Sequence, residues 1–332
     1  MQTPPLAPSA PSPRMHAAPI VAAPIEGVDT RALDPVVDGA LPLAAPASDG
    51  NRYLSAASGV AVVGGAAWMV SDTLPHPARF AGWGAVGTLE AGLDPRPHKY
   101  DLEAITTLSR DAAGGATLLA VGSGSNEHRG VGLLQDVDAA GRAIGAASRV
   151  DFSRLFGELG HQVKELNIEG ATVRSGLAGA ELLLFHRGQA DGDPSRVFVL
   201  DAARVAAAAR AGEPVPPSVL RSSHAIDLGT LDGSRLAFSD ARALPDGRIV
   251  FTASAEASSD HHNGAIVGSA VGVLDRDLTL RSVRPLTGPP RKAEGLAFAT
   301  DFDGSAPAGR VLLVTDPDDD AASGERLHVD LD

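Results

Sequence analysis

A two-strand unit, repeated along the chain, constrains the fold more than any other feature of this sequence. In each copy a short strand opens with a small or acidic residue. A Gly-rich or Asp-Gly turn follows, and then a second, more apolar strand that ends in polar residues. The copies are SGVAVVGGAAWMVSD (58–72), LEAITTLSRDAAGGATLLAVGSGS (102–125), IEGATVRSGLAGAELLLFHRG (168–188), SDARALPDGRIVFTASAE (239–256) and AEGLAFATDFDGSAPAGRVLLVTD (293–316). A third strand follows the pair at 129–138, 195–202, 267–275 and 325–332. Fourth strands are read at AVGTLEAG, AIGAASRVDF, SHAIDLGTL and LTLRSVRPL. Four strands per unit, repeated in series, is the pattern of β-propeller blades.

The last unit stops at its third strand, because the sequence ends at Asp332. An N-terminal strand near GALPLAAP (39–46) would supply the fourth and close the ring. Closure of this kind removes two exposed sheet edges. The expected fold is therefore an all-β, five-bladed propeller over residues 26–332, preceded by a disordered Pro/Ala-rich tail over 1–25. The anchors Ser58, Glu103, Glu169, Asp240 and Glu294 are unevenly spaced, which leaves six blades as the alternative. Helical periodicity at 153–166 and an Ala-rich run at 202–213 account for part of the extra length. Only the first of these joins one blade to the next, so only it should border the ligand face.

Composition narrows the chemistry. The 332 residues contain no Cys, which excludes disulfides, thiolate metal sites and a Cys nucleophile. A net charge of −13 without a Lys/Arg cluster argues against nucleic acid as a partner. No apolar run reaches the roughly 18 residues of a membrane span, and the N-terminus is a poor secretory signal, so the expected location is the cytoplasm. A monomer is expected, with a small-molecule ligand or a protein loop as partner.

Propeller geometry gathers polar residues on one face, at the starts of inner strands and the ends of second strands. Glu103, Glu169, Asp240 and Glu294 come from the first set, and Asp72, Ser123, Ser125, His186, Arg187, Glu256 and Asp316 from the second. Arg129 follows one of these loops. Carboxylates crowded at a narrow mouth repel one another unless something compensates. A hard cation such as Ca²⁺ could do so, with Glu103, Glu169, Asp240, Glu294, Asp316 and Asp72 as oxygen ligands. Bases could do so instead: Lys99, Lys164 and Lys292 each precede an acidic anchor. Raised carboxyl pKa values are the third solution. His186 and Glu169 are the acid-base candidates, and Arg129, Arg187, Ser123 and Glu256 the ligand-binding ones. A plainer reading makes each strand-initial carboxylate a latch on the backbone N–H groups of the neighbouring blade.

Other motifs fail on inspection. VGSGSNEHRG (121–130) lacks the Gly-Lys-Ser/Thr of a P-loop. DPDDDAASGE (316–325) lacks the Gly and Glu that an EF-hand needs at its sixth and twelfth positions. His261 and His262 are adjacent and point opposite ways on extended chain, and no HExxH or GxSxG occurs.

LEAITTL, LLAVGSGSNEHRG, LNIEGA, LLLFHRG, FSDARALPDGRIVFTASAE, GAIVGSAVGVLD and KAEGL with LLVTDPDD together resemble an uncharacterised bacterial family of β-propellers, a domain of unknown function, over roughly residues 50–332. More distantly, the Glu-Gly pairs look like those of phytase-like, "esterase-like activity of phytase" and gluconolactonase-type propellers. The near resemblance implies the fold and no activity. The distant one implies a Ca²⁺-assisted hydrolase of a phosphoester or lactone, with Glu103, Glu169, Asp240 and Glu294 at the positions of the channel-mouth acids. A non-catalytic binding propeller is the alternative.

Overall fold

In a computed structural model, which describes residues 26–92, 99–188, 192–257, 264–319 and 321–332, the strands form five separate antiparallel sheets. The expected tail and the His261–His262 pair lie outside the described residues. The inner strands are Ala57–Val63, Leu102–Arg110, Ile168–Gly176, Ser234–Ala243 and Lys292–Phe298, in blades one to five. From the inner strand outward the strands follow in chain order, as the two-strand units predict, except for the outermost strand of blade five; a two-residue strand, Thr230–Leu231, pairs on the other side of the inner strand of blade four.

The protein is a five-bladed propeller, and the ring closes as expected with a shift in position. Val36–Ala40 pairs antiparallel with Glu325–Asp330 and becomes the outer strand of blade five. The stretch 41–46 does something else: Leu43 bridges Gly87 on the edge of blade one and Pro42 bridges Tyr53. Proline has no N–H to give a ladder, which suits a crossing point better than a strand interior. Before it reaches blade five, the chain runs along blade four, where Asp29 and Leu33 bridge Ser282 and Leu286.

Blade length beyond the common repeat goes into insertions, not into a sixth sheet. Helix α1 spans Ser153–Gly160 and helix α2 spans Ala202–Ala211. Leu155, Phe156 and Leu159 of α1 and Val205, Ala208 and Ala209 of α2 enter one apolar cluster between blades two and three. Asp201 caps α2 by accepting the Arg204 N–H, and Gly212 ends it with φ 68°. Neither helix is long and apolar enough to cross a membrane.

With few aromatics, the blade interfaces are mostly aliphatic. Aromatic contacts punctuate them: Phe238 of blade four meets Phe185 of blade three edge-to-face at 5.1 Å and Phe251 of its own blade at 5.0 Å, and Phe152 stacks on Phe156 at 5.2 Å in the cluster between blades two and three. Trp68 of blade one donates its indole N–H to Gly141 O in a turn of blade two at 2.9 Å.

The centre is tight. A Cβ on Gly170 would sit 3.0 Å from Asp240 Cα in blade four, and one on Gly59 3.1 Å from Glu103 O in blade two. These glycines let neighbouring inner strands approach backbone to backbone.

Candidate functional site at the channel mouth

Each inner strand carries one β-bulge near its start. The pairing with the second strand skips one residue between Ala57 and Gly59, Leu102 and Ala104, Ile168 and Gly170, Phe238 and Asp240, and Ala293 and Gly295. A bulge re-aims the side chain of its extra residue. The equivalent residues are therefore Ser58, Glu103, Glu169, Ser239 and Glu294. Three blades offer Glu and two offer Ser.

This corrects the assignment of Asp240, which is one residue past the equivalent position. Asp240 is fully buried and does not line the mouth. Its carboxylate accepts Leu296 N–H from blade five at 2.9 Å and its own neighbour's Ala241 N–H at 2.8 Å. Burial pushes its pKa well above the usual carboxylate range, and these backbone donors only partly offset that. The latch role expected for the strand-initial acids is thus filled by Asp240.

The other acidic anchors converge. Glu103, Glu169, Glu294, Asp72 and Asp316 all line one cavity of about 540 Å³. Arg129 and Arg187 line it as well. The chain just after α1 contributes Lys164, Glu165 and Asn167, whereas α2 contributes nothing among the described residues. Seven carboxylates and five Lys or Arg side chains line the cavity, so it is much nearer charge balance than a carboxylate ring would be.

Two bases do most of the balancing. Arg187 is 3% exposed and sits among three glutamates: Glu169 at 3.3 Å, Glu294 at 3.7 Å and Glu256, which accepts a short hydrogen bond from its guanidinium. Burial works against this guanidinium, but Glu169, Glu294 and Glu256 more than offset it and hold its pKa above the ordinary value. Lys292 reaches Glu294 at 3.5 Å, Asp316 at 3.4 Å and Asp318 at 3.1 Å. Burial still pushes Glu294 up to about 8 and Asp316 up to about 6, despite Lys292.

A second corner lies in blades one and two. Lys99 bonds Asp72 at 2.5 Å and lies 3.2 Å from Asp101. Arg129 lies 2.8 Å from Asp101 and donates to Ser125 Oγ at 2.7 Å. Asp72, Asp101 and Glu103 each offer an oxygen within 4.8 Å of the others. Burial, followed by the charges of Asp101, Glu169, Asp72 and Glu294, pushes the Glu103 carboxyl well above its ordinary range. Burial also raises Asp72, against the pull of Lys99. Oxygen donors of this kind suit a hard cation, and one Asp72 oxygen, Oδ1, is buried without a hydrogen-bond partner.

The remaining candidates stand behind the wall. His186 is fully buried: it accepts Asn167 N–H at Nδ1 (3.1 Å), and its Nε2 lies 3.3 Å from Asp193 Oδ2. That pairing suits the neutral Nε2–H tautomer, and burial holds its pKa below the ordinary value. Ser123 is also buried and donates to Asp101 at 2.5 Å. Glu256 supports Arg187 without lining the cavity.

Sequence reasoning missed Asp101. It is 4% exposed, binds Lys99, Arg129 and Ser123, and adopts φ 59°. Asp tolerates this left-handed conformation better than most residues. The available signal was a second acid two positions before Glu103, in KYDLEA.

These features define a β-propeller with a polar, internally charge-compensated pocket at one channel mouth. The chain belongs to a family of unknown function, DUF6929, matched over residues 53–331. No curated protein matches it. Solved structures are similar to it at low identity. An exo-β-1,3-galactanase from Phanerochaete chrysosporium is 10% identical over 90% of this chain and 65% of its own, with a TM-score of 0.49. The calcium-binding protein regucalcin from Agrobacterium tumefaciens is 15% identical over 87% and 96%, at 0.41. A gluconolactonase from Xanthomonas campestris is 8% identical over 98% and 99%, at 0.41.

Proposed function

We propose that the mouth cavity binds a small, polar, charged molecule and that the protein is a ligand-binding propeller. The carrying observation is that Arg187 and Lys292 already occupy the centre of the glutamate cluster, where a purely metal-binding ring would leave carboxylates facing one another. The built-in bases leave a pocket of about 540 Å³, within the usual range for small-molecule sites. Glu103 is a strand-borne acid open to the ligand: it is half-buried, lines the cavity and has a raised pKa. A thermal-shift screen of sugars, aldonolactones and phosphate esters tests this reading, followed by calorimetry on Glu103→Gln and Lys292→Met. Binding that weakens in both variants supports it. A confirmed ligand bound equally well by both places the site elsewhere.

The Asp72–Asp101–Glu103 corner favours a second reading, a cation-assisted hydrolase of a phosphoester or lactone. Those three carboxylates would hold a cation such as Ca²⁺ once Lys99 swings away from Asp72. When bound, it would polarise a phosphoryl or carbonyl oxygen. Arg129 would steady an anionic group, and Glu103 would hold or release a proton. Thermal shift with Ca²⁺, Mg²⁺ and Mn²⁺, on the protein and on Asp72→Asn, tests the cation separately from turnover of phosphoester and lactone panels. Stabilisation by none of these ions removes this reading and leaves the first standing.

A further inference from the structure

The propeller has a second cavity at the opposite ends of the same inner strands. It measures about 470 Å³ and includes Thr106, Thr107, Arg110, Thr172, Arg242 and Asp301 in its walls. Thr106 and Thr107 lie three and four residues beyond Glu103 on one strand, about 10–13 Å away at the rise of an extended chain. Leu108, Val173, Ala243 and Phe298 give it an apolar side.

Arg242 makes this cavity more than a gap. It is 9% exposed, and its one ion pair among the described residues is with Asp301 at 3.7 Å, beyond hydrogen-bond distance. The Asp301 oxygen concerned, Oδ2, also takes the Phe298 N–H at 3.3 Å. A guanidinium carries five N–H donors, and among the described residues none of those on Arg242 is bonded to protein, so they are left free for whatever occupies the cavity. The neighbouring hydroxyls point to the same kind of ligand. Thr107 Oγ1 is buried without a hydrogen-bond partner, and Thr172 Oγ1 accepts Ala243 N–H at 2.9 Å, leaving its proton free to donate. Arg110 adds a second positive charge at the rim, where it also donates to Val62 O at 3.0 Å.

We infer that this opposite mouth is a binding site for a small oxyanion, a carboxylate or a phosphate, gripped by Arg242 with help from the Thr107 and Thr172 hydroxyls. A chain of net charge −13 repels anions in general, so two arginines and three threonines around one cavity form a local exception. Guanidinium geometry matches the two oxygens of either group. The apolar side of the cavity favours an anion that carries a small hydrocarbon body.

Calorimetry with inorganic phosphate and, separately, with succinate tests the inference on the full chain and tells the two sources apart. Either anion should bind, with the affinity at least tenfold weaker in Arg242→Met and unchanged in Arg31→Ala, an exposed arginine that lines neither cavity. Thr107→Val, a near-isosteric change, should weaken binding about threefold. If Arg242→Met fails to fold, the unmodified protein still answers: the bound anion should slow phenylglyoxal modification of Arg242, read by peptide mapping. Binding of neither anion, affinity within twofold in Arg242→Met, or no protection of Arg242 overturns the inference.

Discussion

Removing Arg187 tests the electrostatic logic of the mouth most directly. Arg187→Met keeps much of the side-chain length and deletes the charge. Glu169, Glu256 and Glu294 are then left together at 4%, 9% and 2% exposure, with Lys292 the nearest remaining cation. Breaking a buried ion pair from one side costs about 3–5 kcal/mol, because the stranded partner keeps its desolvation penalty. Set against a total stability of about 5–15 kcal/mol, the loss should be plain in a urea titration. The stranded carboxylates can escape only by taking up protons, so the deficit should be larger at pH 8 than at pH 5.5. The partners are also coupled. Repeating the change in a Glu256→Gln background should cost at least about 1 kcal/mol less, since the carboxylate in shortest contact with Arg187 is already gone. A loss below about 1 kcal/mol, or strict additivity with Glu256→Gln, would refute the view that Arg187 serves as the internal counterion.

The other expectations concern single positions. The Glu294 carboxyl titrates near 8 in the folded protein against an ordinary 4.5, so the folded state holds a proton that the unfolded state has released. That contribution to stability is complete below 4.5 and fades as pH rises to 8, with a slope of at most about 1.4 kcal/mol per pH unit. Glu294→Gln should flatten the pH dependence of urea stability between pH 5.5 and 8; an unchanged slope counts against the assignment. His186 acts in the opposite sense, its lowered pKa weakening the fold as pH falls, but it is common to both proteins and drops out of the comparison. Asp240→Ala should cost about 2–5 kcal/mol by orphaning buried backbone N–H groups, with ligand binding at the mouth retained in the folded fraction. Gly170→Ala should cost about 1–3 kcal/mol, because its methyl meets backbone at 3.0 Å in the adjacent blade, and a thermal melt within 1 °C of the parent protein would contradict that close approach.

The blades were legible in the sequence because each is a local pattern: alternating apolar strands joined by Gly-rich or Asp-Gly turns. The mouth was legible as a set of residues, since repeat geometry alone puts Glu103, Glu169, Glu294, Asp72, Asp316, Arg129 and Arg187 on one face, and all seven line one cavity. Register was not legible, and it decided what the residues do. The sequence shows Ser239 and Asp240 side by side, but not which of them the bulge turns toward the mouth. A slip of one residue moved Asp240 from the ligand face into the blade junction. The pairing of charges was hidden for a related reason. Arg187 finds Glu169 18 positions away within its own blade, but Glu256 and Glu294 lie 69 and 107 positions away on other blades, and those contacts exist only once the blades have assembled. His186 shows the reverse effect: a polar residue at the end of an apolar strand was pulled behind the wall, where Asp193 and the Asn167 backbone satisfy it. The bulge reconciles these outcomes. It spends one residue per blade on turning a side chain to the mouth and leaves the next residue against the neighbouring blade. A Glu-Gly pair then serves ligand and fold at once, and blade four, with Ser-Asp in its place, keeps only the second role.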